Sequence, residues 1–311
     1  MTELLRRKTL ELVSLCKKAA AEGLNVVITG HDFPDADSII SAYMMQDLLC
    51  RLDVASCIKL PTPPDNVTLR DVKTLGVWND EYLQSFDDRD ALLLVDHHNT
   101  YYKNRVVACV DHHTTPPAPA CECALVVAAS SCGKVIYDMM RACGIAQDRD
   151  ERLALYSVYL DTQSCRSTKF NKADAPWVEE CLEKYGIDRD LIERMGFCLV
   201  SPEESIDVIA MYAYKRYEFD AVCASTVIQI DENDGRWESV LPIAINYLSK
   251  KTAAEEYAAW GFVVNKPMIS RSDIYWIYRD GRVEKVALDR LASRTRDVIP
   301  VVSSIKQNNK L

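Results

Sequence analysis

Three short, mainly apolar runs in this chain each lead directly into a cluster of aspartate and histidine. Leu24–Thr29 precedes Gly30-His31-Asp32-Phe33-Pro34-Asp35-Ala36-Asp37-Ser38. Ala91–Val95 precedes Asp96-His97-His98-Asn99, and Val106–Val110 precedes Asp111-His112-His113. Short continuous apolar runs bounded by polar loops read as strands buried on both faces, the habit of a parallel sheet covered by helices. In open sheets of that kind, ligands bind beyond the carboxyl ends of the strands. The pattern predicts an α/β fold in which three polar clusters converge on one crevice. All five histidines of the chain lie in these clusters.

The remaining pattern supplies the covering helices. Residues 3–22 read as an amphipathic helix closed by Gly23, and Ser38 is the expected N-cap of a helix running through Leu49. Further helices are expected over Ser131–Cys143, over Glu151–Leu160 (ending at Asp161), and near 173–184 and 188–197. Thr114–Ala120 is a proline-rich loop. Ser201–Ser205 reads as a linker, after which strands are expected at Val222–Ile230, Val240–Ile245, Gly261–Val264 and Ile274–Tyr278, with Pro242 marking an edge strand. The division is two α/β domains: residues 1–200, a parallel-sheet domain carrying the clusters, and residues 201–311, a smaller α/β domain. The active site is expected in the cleft between them.

Charge narrows the partners. The net charge is −9, with a pI near 5.2, which disfavours bulk-charge binding of nucleic acid. From Lys266 onward, ten Lys/Arg stand against five Asp/Glu, a net of +5, leaving −14 on the rest. That split suits a site with metals on one wall and an anion on the other; ordinary surface variation would read the same way. No apolar run is long enough to span a membrane, and no signal peptide is read at the start. Twelve cysteines without a Cys-x-x-Cys pair are then expected to be reduced thiols in a cytoplasmic setting. Asn309-Lys310-Leu311 loosely resembles a peroxisomal address, the alternative localisation.

Aspartate and histidine together are ligands for paired divalent cations. Two metals about 3.5–4 Å apart share an activated water and clamp the oxygens of an in-line displacement. Asp35 and Asp37, two apart on a loop, can serve different metals. Asp96 and Asp161 are the bridge candidates, Asp161 because a carboxylate ending an apolar helix is otherwise costly to bury. No phosphate-binding Gly-x-x-x-x-Gly-Lys-Ser/Thr loop and no Gly-x-Ser-x-Gly elbow is present.

These clusters resemble the motifs of the DHH phosphoesterase superfamily: the first at Gly30–Ser38, the second at Val95–Asn99, the third at Val110–His113 and the fourth at Leu160-Asp161-Thr162. The chain has no histidine after His113, so the Gly-Gly-Gly-His motif of the nuclease-like branch is missing. Ser293-Arg294-Thr295-Arg296 resembles the late Ser-Arg-Lys motif of the DHHA2 branch, and Tyr214–Glu218 resembles the segment opening that branch's second domain. The branch holds exopolyphosphatases, manganese-dependent family II inorganic pyrophosphatases and prune-like proteins. Thr295 departs from the motif lysine, where Arg296 is a substitute. Ser130-Ser131-Cys132 resembles a feature of eukaryotic exopolyphosphatases and prune proteins, whereas His31 is kept as in pyrophosphatases.

The resemblance implies two divalent metal ions, Mn²⁺ or Mg²⁺ with Co²⁺ as a third option. His31, Asp35, Asp96 and Asp161 would hold one, and Asp37, Asp96, His112 and Asp161 the other. His113 would contact phosphate and protonate the leaving group, Asp111 would orient its neighbours, and His97 would lie near substrate. Arg294 and Lys215 would bind phosphate oxygens. The implied activity is release of terminal orthophosphate from inorganic polyphosphate. Pyrophosphate hydrolysis is the first alternative, and a prune-like interaction role with weak activity the second. The implied partner is a small polyanionic substrate, with neither nucleic acid nor membrane involved.

Overall fold

The computed structural model describes residues 2–98, 102–114, 121–197 and 199–305. Asn99, residues 115–120 of the proline-rich loop and the Asn309-Lys310-Leu311 tripeptide lie outside the described residues. The chain forms two compact units, Met1–Phe197 and Cys198–Leu311.

The first unit begins with α1 (Thr2–Ala21), which ends before Gly23 in the left-handed region at φ +80. Then come β1 (Asn25–Thr29), α2 (Ala36–Arg51), β2 (Cys57–Ile58), α3 (Asn66–Thr74), β3 (Asp90–Val95), β4 (Arg105–Asp111) and β5 (Cys123–Val126). Helices α4 (Cys132–Ala142), α5 (Asp148–Asp161), α6 (Ala175–Tyr185) and α7 (Arg189–Gly196) complete it. The sheet is parallel throughout, in the order β2-β1-β3-β4-β5. The apolar runs are buried as their composition demands: all six residues of β3, and Val26, Val27 and Ile28 of β1. Each such side chain contributes about 1.5–3 kcal/mol by leaving water. In this strand order the chain changes winding direction between β1 and β3, so the loops after those strands flank the place where such sheets bind ligands. One expectation shifts slightly here. α2 starts two residues early and its cap is Asp35, which accepts from Ser38 N at 3.0 Å, rather than Ser38.

The second unit contains α8 (Ile206–Met211), β6 (Lys215–Glu218), β7 (Val222–Gln229), α9 (Trp237–Ala254), β8 (Ala259–Lys266), β9 (Arg271–Tyr278), β10 (Val283–Leu288) and α10 (Ile299–Ser304). Its sheet runs β10-β9-β8-β7-β6, with β7 and β8 parallel and every other pair antiparallel. The strand expected at Val240–Ile245 is instead the interior of α9. Parallel neighbours β7 and β8 require a crossover, and the segment between them must supply it. Pro242 sits inside this helix and removes one backbone donor near its start. Cys223, Ala259, Val263, Ile274, Trp276, Val298 and Val302 form a buried core in this unit. Gly261 lets Trp276 pack closely over β8: a Cβ there would lie 3.0 Å from the Trp276 ring, which would have to shift. Among the described residues, no helix is long and apolar enough to cross a membrane.

Candidate metal centre

The first cluster leaves β1 through Gly30, where a Cβ would lie 2.1 Å from Ser38 Oγ and would force that hydroxyl to move. His31 Nδ1–H donates to the Asp32 carbonyl at 2.9 Å, which turns Nε2 inward. Nε2 lies 3.7 Å from Asp35 Oδ2 and 3.5 Å from Asp96 Oδ2.

Asp37, in the first turn of α2, is buried. Its carboxylate accepts from Cys132 N at 2.8 Å, Gly133 N at 3.0 Å, Ser157 Oγ at 2.5 Å and Ser41 Oγ at 3.2 Å. The two amides belong to the first turn of α4, where unsatisfied N–H groups and the helix dipole favour an anion. A Cβ on Gly133 would meet Ser157 Oγ at 2.4 Å, so this approach of three elements requires glycine. The Ser131-Cys132 segment therefore anchors a candidate ligand, a role that its motif resemblance alone did not define.

Asp96 sits just beyond β3 in the left-handed region at φ 61, a conformation that strains most non-glycine residues. It presents one oxygen to each histidine: Oδ2 to His31, and Oδ1 to His112 Nε2 at 3.2 Å. His112, after β4, donates Nδ1–H to the Ala129 carbonyl at 3.1 Å. Its Nε2 lies 3.7 Å from both Asp37 Oδ2 and Asp161 Oδ2. Two groups result that could each hold an ion, His31–Asp35–Asp96 and Asp37–His112–Asp161. A further grouping of Asp96, Asp111, His112 and His113 overlaps them.

These residues fit divalent metals. Asp96 Oδ1, His112 Nε2 and Asp161 Oδ2 are buried, close together and, among the described residues, without hydrogen-bond partners. Two carboxylate oxygens facing one imidazole nitrogen in a buried place are a donor set that a shared cation satisfies. Both histidines also offer Nε2 inward while Nδ1–H is fixed by a backbone carbonyl, the arrangement that orients imidazole ligands.

The electrostatics of the metal-free chain agree. Burial opposes charge on His31, but the hydrogen bond and charge of Asp35, with Asp96, carry its pKa up to about 9. His112 is likewise raised, to about 10, by Asp96, Asp161 and Asp37 against burial. Burial, with Asp96 and Asp161 adding to it, pushes Asp37 up to about 7 against the pull of His112. Asp35 is held below the usual carboxylate range, since His31 and Lys169 outweigh its burial.

Around the ligands, Asp111 is fully buried and holds two rings. His113 Nδ1–H donates to Oδ1 at 2.8 Å, and His98 Nδ1 lies 2.5 Å from Oδ2. His98, which had no expected job, is thereby tied to the third cluster. His113 is partly exposed, and its bond to Asp111 raises its pKa. His97 spends both ring nitrogens inside the protein. Its Nδ1–H donates to the Val95 carbonyl and its Nε2 accepts from Tyr102 Oη, each at 2.9 Å. Burial lowers its pKa, consistent with a neutral ring. Lys169, absent from every motif read in the sequence, lies with Nζ 2.5 Å from Asp161 Oδ1. The first unit thus brings His31, Asp35, Asp37, Asp96, His112, His113 and Asp161 together. Lys215 and Arg294 belong to the second unit, Lys215 exposed at the start of β6 and Arg294 half-buried in the turn Arg294–Val298. Arg296 is occupied locally, donating to the Leu291 carbonyl at 2.8 Å.

A model described as "DHH family, N-terminal domain" matches residues 25–162, the stretch holding all six candidate ligands. Over that stretch the chain carries a DHH family N-terminal domain. No curated protein sequence matches it. Among solved structures, a Methanococcus jannaschii protein described as a family II inorganic pyrophosphatase aligns with a TM-score of 0.69 at 19% identity. That alignment covers 89% of this chain and 98% of the other. An exopolyphosphatase-related protein from Bacteroides fragilis aligns at 16% identity and a TM-score of 0.46, over 80% of this chain and 78% of that one. The pyrophosphatase likeness concerns the fold, a parallel-sheet unit followed by a mixed-sheet unit.

Proposed function

We propose that this protein is a two-metal hydrolase of phosphoanhydride bonds, releasing terminal orthophosphate from inorganic polyphosphate. One observation carries the reading: Asp96 gives one oxygen to each of two histidine-containing donor groups, in the midst of buried polar atoms that lack partners. A binding module would have no use for that arrangement. Mn²⁺ or Mg²⁺ held there would supply an activated water and neutralise phosphate oxygens. The chain's own part is positional. Asp37 is clamped by α4 and by Ser157, so the ligand set is preorganised before any ion arrives. Asp111 fixes the His113 ring and stabilises its charged form, which suits His113 Nε2 to deliver a proton to the leaving oxygen.

Pyrophosphate is the second reading, favoured by the TM-score of 0.69 with a protein described as a pyrophosphatase. Phosphate release from pyrophosphate, tripolyphosphate and long-chain polyphosphate, in Mn²⁺ and in Mg²⁺, separates the two. Release from all three, with the longer chains preferred, supports the first. Activity confined to pyrophosphate overturns it in favour of the second. No release from any substrate would leave a prune-like interaction role.

A further inference from the structure

Asp161 is a candidate ligand whose two oxygens are in different states. Oδ2 is buried, has no hydrogen-bond partner among the described residues, and lies 3.7 Å from His112 Nε2. Oδ1 lies 2.5 Å from the Lys169 ammonium. A carboxylate that bridges two metals through both oxygens offers one to each, and Asp96 has that geometry. In Asp161 the second oxygen is already matched to a cation.

The backbone goes to some length to bring Lys169 there. Directly after α5, Gln163, Ser164 and Cys165 adopt φ of 52, 58 and 62, three consecutive non-glycine residues in the left-handed region. Such conformations persist only where surroundings enforce them. Ser164 N donates to the Tyr159 carbonyl at 2.8 Å, and Ser164 Oγ to the Glu193 carbonyl at 2.6 Å. α7 can close on this turn because Gly196 has no Cβ; one would meet Ser164 Oγ at 2.5 Å and Tyr159 O at 2.7 Å. The reversal returns Lys169 to the end of α5. There its ammonium also feels Asp35 and Asp96, the carboxylates of the His31 side.

Resting on the two-metal reading above, we propose that Lys169 is a positioning residue that reserves Asp161 for the metal on the His112 side. Its ammonium supplies positive charge on the His31 side until a second metal arrives. The two sites are then unequal. The His112 side has Asp37, Asp96, His112 and Asp161, whereas the His31 side has His31, Asp35 and Asp96 and must compete with a tethered cation. The metals bind in that order.

Calorimetric titration of the metal-free full chain with Mn²⁺, alongside electron paramagnetic resonance of the bound ion, tests this. The wild type should take up two ions in separated steps. Lys169→Ala should leave the first step unchanged and tighten the second roughly tenfold or more, the scale on which groups beside metal ligands act. Lys169→Arg keeps the cation and should behave as the wild type. Lys169→Gln gives the same reading as alanine should that variant fold poorly. Two ions in the wild type, with the second step unchanged or weakened in Lys169→Ala and Lys169→Gln, would overturn the role of Lys169 and leave the two-metal reading standing. Fewer than two ions in the wild type would overturn both.

Discussion

Asp111 Oδ2 and His98 Nδ1 lie 2.5 Å apart, both buried, and so join the loop after β3 to the end of β4. The pair couples the second cluster to the third without either residue belonging to the six candidate ligands. Removing the imidazole leaves a buried carboxylate short of a donor, a defect that costs about 3 kcal/mol or more. His98→Ala should therefore unfold in urea at a clearly lower midpoint than wild type when both are metal-free. Equal midpoints would show that the contact is energetically idle.

Gly133→Ala tests the clamp on Asp37. The added methyl would stand 2.4 Å from Ser157 Oγ and 2.8 Å from Ser157 Cβ, both within the buried interior. Displacing Ser157 removes a donor from Asp37, so the variant should lose about 1–3 kcal/mol of stability and bind Mn²⁺ more weakly. Adding Ser157→Ala relieves the clash with the hydroxyl but not with the Cβ, so it should restore stability only in part and leave metal binding weak.

Proton occupancy of the ligands gives a pH dependence. His31 and His112 titrate at about 9 and about 10 in the folded, metal-free chain, above the ~6.5 of an unfolded histidine. A raised folded-state pKa adds stability that is complete below ~6.5 and lost as pH climbs through the folded values. Asp37, raised to about 7, acts in the same sense lower on the scale, since its ionisation weakens the fold. Metal-free protein should lose stability from neutral pH to about pH 10. Mn²⁺ needs the deprotonated rings, so its affinity should increase over that window with release of protons. Thermal unfolding in EDTA and in Mn²⁺ at several pH values measures the gap. A gap that stays constant or narrows as pH rises would contradict these assignments.

Arg294→Ala addresses the expected phosphate contact. Loss of one charge-assisted hydrogen bond should cost roughly 10- to 100-fold in kcat/KM, with bound metal unchanged. Steady-state kinetics and metal analysis on one preparation decide it, and loss of metal in this variant would assign Arg294 to a different task.

The strands that carry the ligands were readable because burial on both faces leaves an unbroken apolar run, as in Ala91–Val95. β2 has two residues and β10 is largely exposed, so neither leaves such a trace. Val240–Ile245 misled for a physical reason. Its β-branched composition and Pro242 favour a strand locally, but the parallel pairing of β7 with β8 demands a helix between them. The candidate ligands were pointed to by the resemblance of their motifs, and the structure gathers them in the first unit. Lys169 was not pointed to, because eight residues and a left-handed reversal separate it from Asp161, and nothing in Gln163-Ser164-Cys165 announces that conformation. His98 was equally silent, since its partner lies thirteen residues away on another strand.

Every candidate ligand falls between His31 and Asp161, inside the first compact unit and inside the stretch matched by the family model. On the proposed reading, ion retention would depend on one contiguous stretch of the chain. Mutations in the second unit can accumulate, or that unit can be exchanged for another, without erasing a single donor atom. Under that reading, substrate preference could change through the second unit while the donor set stayed the same.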